Sequence, residues 1–478
     1  MDAQNPADGE RIASPHHQRN IALLVAGTFF MENLDGTILT TAAPSIGADF
    51  GVASLSIGVA ITAYLLTLAV LIPLSGWLTQ RFGARRIFLT AIAVFTLASI
   101  LCALSQNLTE LTVFRVLQGV GGALMVPVGR LAVLRITSKA DLIRTVALLT
   151  WPALAAPVIA PLIGGILSTY ASWHWIFLIN VPLGLVAFVV AARILPREQR
   201  ETPPRLDWLG LGLTSVGLGV LVYLGSLLAG TEQNAVELIV LAVVGLGMLA
   251  LATAHFLRTS TPLLRLRSLR IETFRVSNAG GAVYRMTLFA VPFLLPLLFQ
   301  DEFGYSPVLA GTLVLFVFIG NFAIKPLTTP MLRRFGFRPV LVAATLGAAL
   351  SMVLCAFLTA ETPLVVVAVL LVFSGVARST GFTAYNTIAF ADVPQSEMTD
   401  ANTLTSTLQQ VAAGFGVAVG AVALRAGEAT WGGLGAFQFS FLVIGAITLV
   451  STVEALRLSP NAGANIRPPA ARGRVKRA

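Results

Sequence analysis

Long apolar runs, separated by short polar connections, follow one another along almost the whole chain. A helix needs about 20 apolar residues to cross the roughly 30 Å hydrocarbon core of a bilayer. Fourteen such runs lie near 20–44, 54–75, 86–105, 108–129, 145–168, 174–195, 207–229, 236–257, 274–300, 306–326, 339–359, 363–390, 402–424 and 433–456. Only 11% of the 478 residues are charged, whereas soluble domains carry roughly a quarter. The sequence predicts an all-α polytopic membrane protein with 14 transmembrane helices and excludes a soluble domain.

Lysine and arginine are concentrated in every second connection between these runs. Twenty-eight of the 32 lie in the two termini and after the second, fourth, sixth, eighth and tenth runs, whereas the alternate connections carry Arg425 alone. Cytoplasmic loops retain positive charge, so we expect both termini to be cytoplasmic. The net charge of +10 is then a signal of topology. A nucleic-acid partner is disfavoured, because its phosphates would require a clustered basic face.

An internal repeat divides the chain. "RFGARRIFLTA" from Arg81 and "RFGFRPVLVAA" from Arg334 match in the connection after the second run of each half, with Gly83 and Gly336 in register. Chance recurrence of arginine and glycine in membrane loops is the alternative explanation. Two related bundles that face each other around a central site are typical of transporters.

The repeat predicts five segments. We expect a cytoplasmic tail at 1–19, a six-helix bundle at 20–205, two inserted transmembrane helices at 206–258, a second six-helix bundle at 259–457 and a basic cytoplasmic tail at 458–478.

Two carboxylates interrupt the first apolar run, in "FFMENLDGTI" at 29–38. A charge at the centre of a membrane helix costs roughly 2.5–3.5 kcal/mol, so retaining two indicates a function. Their spacing of three residues predicts one shared helical face. A buried carboxyl can accept a proton from one side and release it to the other; we expect Asp35 to be the proton carrier and Glu32 its partner or a residue of the substrate cavity. The alternative is a static ion pair with an arginine in the membrane.

Three arginines also fall within apolar runs. Arg115 belongs to the same predicted bundle as the two acids and is the expected counter-ion. Arg285 and Arg378 have no acid close in sequence. They are interpreted either as attracting an anionic substrate or as hydrogen-bonding with neighbours such as Asn278 or Asn386.

The fifth run, "WPALAAPVIAPLIGG", combines helix-bending prolines with small residues. Pro157 and Pro161 free backbone carbonyls, while Gly164 and Gly165 allow helices to approach closely. We expect a bent, tightly packed helix beside the acid-bearing one. Cys102 and Cys355 lie far apart in apolar runs and are interpreted as packing residues. The chain has no phosphate-binding loop, metal-ligand cluster or nucleophile motif, so we expect neither a cofactor, a resident metal nor an enzyme.

Several motifs together resemble the major facilitator superfamily, and within it the fourteen-span drug:proton antiporters, over nearly the whole chain. "FMENLDGTILTTAAPSI" is similar to that family's first-span motif, with Asp35 at the acidic position. "LTVFRVLQGVGGA" is similar to the fourth-span motif, and "WHWIFLINVPLG" to the sixth-span signature. The resemblance implies that Arg115 assists proton transfer, and Gln118 is assigned to the substrate site.

Two departures from the family pattern bear on conformational change. "GWLTQRFGARR" matches the superfamily's loop motif at Gly76, Gly83, Arg85 and Arg86, but Gln80 replaces the usual aspartate that helps latch the two halves together. A weaker latch is implied. The fifth-span antiporter motif keeps Pro161, Gly164 and Gly165 but has alanines at two positions where glycine is usual.

The expected function is therefore export of organic compounds in exchange for protons, by alternating access, in the inner membrane of a bacterium. We expect the proton gradient to drive transport without a cofactor. The expected partners are a small organic solute, protons and the lipid bilayer. A monomer is the expected oligomeric state. An exporter of an organic anion or metal chelate is the first alternative, with Arg285, Arg378 and Asn386 at its site. A membrane-embedded lipid-handling protein is the second.

Overall fold

A computed structural model describes residues 15–466 except 53, 140, 197–204 and 229–233, with a few side chains inside helices, such as those of Pro157 and Pro161, outside the description. The described residues form helices and connections without a strand. We number the helices α1 (Pro15–Phe50), α2 (Gly58–Phe82), α3 (Ala84–Ala103), α4 (Leu108–Ile136), α5 (Leu142–Tyr170), α6 (Trp175–Ile194), α7 (Trp208–Leu228), α8 (Ala235–Arg258), α9 (Glu272–Glu302), α10 (Pro307–Ala323 continued by Lys325–Phe335), α11 (Phe337–Ala356), α12 (Leu364–Ile388), α13 (Met398–Thr430) and α14 (Gly433–Leu456).

Length and apolarity make most of these helices candidate membrane spans. Within the described residues, 11 helices pass on both criteria, and the bent pair that forms α10 makes a twelfth. The remaining two, α5 and α13, have 29 and 33 residues and contain positions whose side chains are not described. Every apolar run read from the sequence thus coincides with a helix, and the all-α polytopic class is confirmed.

Several helix boundaries differ from the prediction, because helices continue past the apolar run into their polar ends. Helix α1 begins at Pro15 and passes through Pro44 to Phe50, so the predicted tail at 1–19 is already helical near its end. Helix α2 continues beyond a single 3-10 turn at Ile72–Leu74. The tenth span does not end near 326; it bends by 47° and resumes from Lys325. Residues 467–478 of the basic tail lie outside the described residues.

The same helix pairs recur in the two halves. In the first half, α1 packs on α5, α2 on α4, α3 on α4 and α3 on α6. In the second half, the corresponding pairs are α9 with α13, α10 with α12, α11 with α12 and α11 with α14. This recurrence gives two six-helix bundles, as the sequence repeat predicts. The exact domain limits stay a prediction.

A glycine stands between the second and third helix of each bundle. Gly83 separates α2 from α3 with φ 85°, and Gly336 separates α10 from α11 with φ 87°. Both values lie in the left-handed region that glycine adopts readily, so each helix can stop and the next begin without an intervening loop. Beside them, Arg85 donates to the carbonyl oxygen of Ala192, and Arg86 and Arg334 are exposed.

The inserted helices pack as a pair on the outside of both bundles. Helix α7 contacts α8, α2 and α13, and Ser215 Oγ donates to the carbonyl oxygen of Val70 at 2.8 Å. Asp207, just before α7, accepts from Gly210 N at 2.8 Å and Leu263 N at 3.2 Å, and lies 2.8 Å from His255 Nε2. Burial acts to raise the pKa of Asp207, but these hydrogen bonds outweigh it and lower the pKa. Asp207 thus joins α7, α8 and the connection to α9.

Gly164 marks the close approach of α5 to α1. A Cβ atom at this position would lie 3.0 Å from Ile38 Cγ1 and 3.2 Å from the Ile38 carbonyl oxygen, whereas one at Gly165 would have no described atom within 4 Å. The predicted tight packing of the fifth span is therefore found at Gly164 and not at Gly165. Helix α5 itself runs without interruption through the two prolines.

We expect Gly164→Leu to lower the free energy of unfolding by about 1–3 kcal/mol, because the new side chain overpacks the contact with α1. Thermal unfolding of the purified protein in detergent measures the change. Gly165→Leu is the matched control, with the same residue change one position along the same helix. Equal losses for the two variants would contradict the assigned contact.

Candidate functional site

A buried ion pair joins the first and fourth helices. Arg115 Nη1 lies 2.5 Å from Asp35 Oδ2, and neither side chain has solvent-exposed surface. The two residues are 80 positions apart in sequence. Helix α4 reaches this position from a start capped by the Asn107 side chain, which accepts from Glu110 N at 2.9 Å. The predicted pairing of the first-span acid with Arg115 is what the structure shows; its role in proton transfer stays a prediction.

Two amides complete the surroundings of the Asp35 carboxylate. Gln118 Nε2 and Asn180 Nδ2 each donate to Asp35 Oδ1 at 2.8 Å. Gln118 also donates to Ser99 Oγ at 2.8 Å and accepts from Arg115 Nη1 at 2.7 Å. Helices α1, α4 and α6 therefore meet at one carboxylate, and α3 joins them through Ser99, which accepts from Gln118. Gln118, which the sequence assigned to the substrate site, lies inside the first bundle and donates to Asp35; its role toward a substrate stays a prediction.

Tyr64 on α2 covers the other side of the arginine. The Arg115 Cζ atom lies 4.1 Å from the centre of the Tyr64 ring, a distance at which a guanidinium is attracted to the ring face. Close approach of α2 and α3 to α4 follows from small residues, since a Cβ at Gly119 would overlap Thr67 and one at Gly121 would overlap Phe95. The glycines of the fourth-span motif thus bring the ion pair and its partners together.

Some polar atoms of this cluster have no partner among the described atoms. Arg115 Nε and Nη2 and Asn180 Oδ1 are buried without a hydrogen bond to a described atom. An unsatisfied buried polar group costs about 1–3 kcal/mol, and native proteins retain few of them. Apolar side chains would pack at these positions without that cost, so packing alone does not explain the polar residues of the cluster.

Glu32 lies in a different environment from Asp35. Helix α1 buries Met31, Leu34, Asp35 and Ile38, whereas Glu32 is half-buried. Glu32 Oε2 accepts from Asn33 Nδ2 at 2.9 Å. A spacing of three leaves the two residues about 60° apart around the helix, so they share one face as predicted but differ in burial. One acid is sealed in the bundle and the other is at its edge.

A second polar row crosses from one bundle to the other. Arg285 on α9 donates to Asn386 Oδ1 at 3.4 Å, and Gln409 Nε2 donates to the same oxygen at 2.7 Å. Gln409 Oε1 in turn accepts from Arg130 Nη1 of the first bundle at 3.1 Å. Arg130 also donates to Ser406 Oγ at 2.5 Å. Among the described side chains, neither arginine of this row has a carboxylate within 4.0 Å.

Arg378 is not part of that row. Its guanidinium donates to the backbone carbonyl of Leu288, and it lines a small cavity of about 10 Å³ together with residues of α9, α11 and α14, including Met352 and Thr448. The two arginines are therefore in different places: Arg285 contacts Asn386 and faces the other bundle, whereas Arg378 lies inside the second bundle. Asn278 donates to the carbonyl of Phe274, and its predicted contact with an arginine is not found among the described contacts.

The two bundles contact each other at what we call the basic end, the end of the molecule formed by the arginine-rich connections. A Cβ at Gly76 of α2 would overlap the Thr403 side chain of α13. One turn further, Gln80 Nε2 donates to Asp400 Oδ1 at 3.3 Å. Arg265 Nη1, from the connection between α8 and α9, lies 3.6 Å from Asp400 Oδ2. Position 80 carries glutamine in place of the family's usual aspartate, and the acid of this contact, Asp400, lies on the opposite bundle.

Sequence reasoning missed Tyr64, Ser99 and Asp400. Tyr64 is the one tyrosine of the second apolar run, and a lone phenol in such a run is the signal that was overlooked. Ser99 carried no signal, because a single serine in a membrane helix usually bonds to its own backbone; Ser99 does so with the Phe95 carbonyl.

Two repeated six-helix bundles, a buried charged cluster and a set of contacts that closes one end define the class of polytopic membrane transporters. The sequence model of the Major Facilitator Superfamily matches residues 25–264 and 278–477. The chain belongs to the major facilitator superfamily, which is a superfamily of transporters.

Curated relatives agree with this assignment. The chain is 38% identical over 405 residues to the "Putative multidrug resistance protein MdtD" of Escherichia fergusonii, covering 84% of this chain and 85% of the relative. The proteins of that name from Escherichia coli O6:H1 and Shigella flexneri serotype 5b give the same identity and the same coverage.

Solved structures of low sequence identity share the fold. The proton:xylose symporter XylE bound to 6-bromo-6-deoxy-D-glucose superposes with a TM-score of 0.65 at 14% identity, covering 94% of this chain and 98% of that one. The human organic anion transporter MFSD10 gives a TM-score of 0.62 at 13% identity, with 93% and 100% covered. These two likenesses show the fold; the family match and the curated relatives make the chain a multi-pass membrane protein and a secondary transporter.

The Gln80–Asp400 contact generates a prediction about the basic end. Gln80→Asp places a second carboxylate beside Asp400, and like charges about 4 Å apart repel by about 1–4 kcal/mol. We expect faster amide hydrogen exchange at 76–82 and 398–406 in the purified protein. The double variant Gln80→Asp with Asp400→Asn restores a single acid and should recover slow exchange. Unchanged exchange in Gln80→Asp would show that the contact does not hold the two bundles together.

Proposed function

We propose that this chain exports organic compounds across the inner membrane of a bacterium in exchange for protons, with both termini in the cytoplasm. The observation that carries the proposal is the Asp35 carboxylate, fully buried and held by Arg115, Gln118 and Asn180. A carboxyl is the one member of this cluster that exchanges its charge by binding a proton. The curated relatives named for multidrug resistance support export of organic compounds.

Protonation of Asp35 changes the forces within the first bundle. The ionised carboxylate accepts three hydrogen bonds, two from α4 and one from α6, including one charge-assisted bond from Arg115. A proton on Asp35 neutralises the carboxylate and removes the ionic part of that contact, which is the strong part. Arg115 then retains its charge beside Gln118 and the Tyr64 ring. The helices that meet at Asp35 are therefore held differently in the two protonation states, as alternating access requires.

Glu32 is the proposed route by which the proton reaches Asp35. It lies less than one helical turn away on α1 and is half-buried, whereas Asp35 is sealed. A group at the edge of the bundle can exchange protons with a solvent-filled cleft and pass them inward when the bundle loosens.

We expect Asp35→Asn to abolish proton movement coupled to substrate export. The measurement is internal pH in proteoliposomes, followed with a trapped fluorescent indicator while a dye is exported. Glu32→Gln should slow coupling without abolishing it, and Asp49→Asn, at the outer end of the same helix, should leave it unchanged. Full coupling in Asp35→Asn would refute the assignment.

Because Asp35→Asn leaves Arg115 buried without its partner, a loss of about 3–5 kcal/mol in stability can accompany it. The double variant Asp35→Asn with Arg115→Gln removes both charges and separates the two effects. We expect it to fold, by size-exclusion chromatography, and to remain uncoupled. A folded double variant that still moves protons with substrate would also refute the role of Asp35.

A second candidate function is export of an organic anion. It is favoured by the row of Arg130 and Arg285, two cations linked through Asn386 and Gln409 without a described carboxylate. Such a row between the bundles attracts negative charge.

Under this alternative, Arg285→Gln should abolish export of anionic dyes and leave export of cationic dyes unchanged, because the substitution removes the charge but keeps a hydrogen-bond donor. Arg378→Gln is the matched control, since Arg378 lies inside the second bundle. Competing export of the two dye classes from the same proteoliposomes measures the split. Equal loss for both dyes in Arg285→Gln would contradict an anion site.

A further inference from the structure

A crevice of about 420 Å³ opens at the basic end between the two bundles. Its walls come from α1 and α5 of the first bundle and from the second segment of α10, the one that follows the 47° bend. A volume of this size lies in the range of roughly 300–1,000 Å³ that is usual for small-molecule sites. It is separate from the cluster around Asp35, with which it shares no residue.

Three cations line this crevice: Arg19, Arg144 and Lys325. In the part of the chain that the structure describes, none of them has a carboxylate within 4.0 Å. Lys325 Nζ donates to Thr383 Oγ1 at 2.7 Å and to Thr150 Oγ1 at 3.2 Å. Its nitrogen is thus held by neutral hydroxyl oxygens. The two guanidinium groups, with Lys325 beside them, attract an anion to this cavity.

Apart from Thr329, the rest of the crevice is apolar. Leu23, Leu148 and Pro326 form walls between the cationic groups. A small inorganic anion would satisfy the charges but leave these walls in contact with water. A ligand with an anionic head and an apolar body fits both parts of the lining.

The depth of the cations agrees with a lipid head group. Arg19 and Arg144 lie in the first two turns of α1 and α5, so each is within about 6 Å of its helix end along the axis. If these helices span the bilayer, that level is where phospholipid phosphates lie. Basic pockets between membrane helices on the cytoplasmic side are typical binding places for anionic head groups.

We propose that this crevice binds one anionic phospholipid, with the phosphate between Arg19 and Arg144 and the glycerol and first acyl carbons on Leu23, Leu148 and Pro326. The bound lipid bridges the two bundles, because its site joins α1 and α5 to α10. Lys325 lies at the inner end of the site and already contacts Thr150 across the bundles. Occupancy therefore favours the closed basic end.

Native mass spectrometry of the purified full-length protein tests the proposal, with phosphatidylglycerol, phosphatidylcholine and inorganic phosphate as probes. We expect one phosphatidylglycerol to remain bound at concentrations at which phosphatidylcholine and phosphate do not. The double variant Arg19→Gln with Arg144→Gln should bind phosphatidylglycerol about thirtyfold more weakly, at about 1 kcal/mol for each basic side chain near a lipid phosphate.

The matched control replaces two other exposed arginines at the same end, Arg193 of α6 and Arg258 of α8, by glutamine. We expect this control to bind as the unmodified chain does. If the Arg19 and Arg144 variant fails to fold, Leu23→Glu keeps both arginines and places a carboxylate in the wall, which should weaken binding of the anionic lipid. An equal loss of phosphatidylglycerol binding in the control, or no loss in Leu23→Glu, would overturn the proposed site. The lipid would then be held by a diffuse basic surface. Equal retention of phosphatidylcholine, or tighter retention of inorganic phosphate, would overturn the lipid assignment.

Discussion

The Asp35–Arg115 ion pair is the interaction on which the first bundle depends. Taking two charges out of water costs several kilocalories per mole for each ion, and their attraction offsets this cost only if the remaining polar atoms are also paired. Gln118 and Asn180 supply hydrogen bonds to the carboxylate, and the Tyr64 ring lies against the guanidinium. Gln118 belongs to α4, Asn180 to α6 and Tyr64 to α2, and Ser99 of α3 accepts from Gln118. The pair therefore fixes how five helices, α1, α2, α3, α4 and α6, are placed around one point.

Contacts between the bundles are of another kind. Within the described residues they join arginines, amides and hydroxyls, as Arg130 does with Asn402 at 2.6 Å and Arg135 with Thr399 at 2.8 Å. Asp400 is the acid that faces them, and its partner Arg265 is half-exposed. A hydrogen bond from a charged group contributes about 1.5–3 kcal/mol, a neutral one about 0.5–1.5 kcal/mol and an exposed ion pair about 0–1 kcal/mol. Such contacts hold one conformation but can be broken singly. The strong interaction lies inside a bundle, and the weaker ones lie where the bundles must separate.

Much of the architecture could be predicted from the sequence, because the bilayer imposes strong rules. Apolar runs located the helices, and the two "RFG" segments located the repeat, since a helix that ends at a left-handed glycine leaves a sequence mark at Gly83 and Gly336. The pairing of Asp35 with Arg115 could be inferred because charges are rare in such runs. What could not be inferred was which side of a helix faces which neighbour. Arg285 and Arg378 look alike in sequence, but one reaches toward the other bundle and one is enclosed.

Asp400, the acid in the contact between the bundles, could not be located from the sequence for the same reason. From the sequence alone, Gln80 predicts a weaker contact between the bundles, because it lacks the charge of the aspartate that is usual in the family motif. In space, the charge is found on the other bundle at Asp400, and Gln80 donates to it. Arg265 reaches the same carboxylate from the connection that follows the inserted helices. That connection is also tied to α7 and α8 through Asp207. The inserted pair is thereby mechanically linked to the contact that closes the basic end, so a movement of α13 away from α2 must also pull on the insertion.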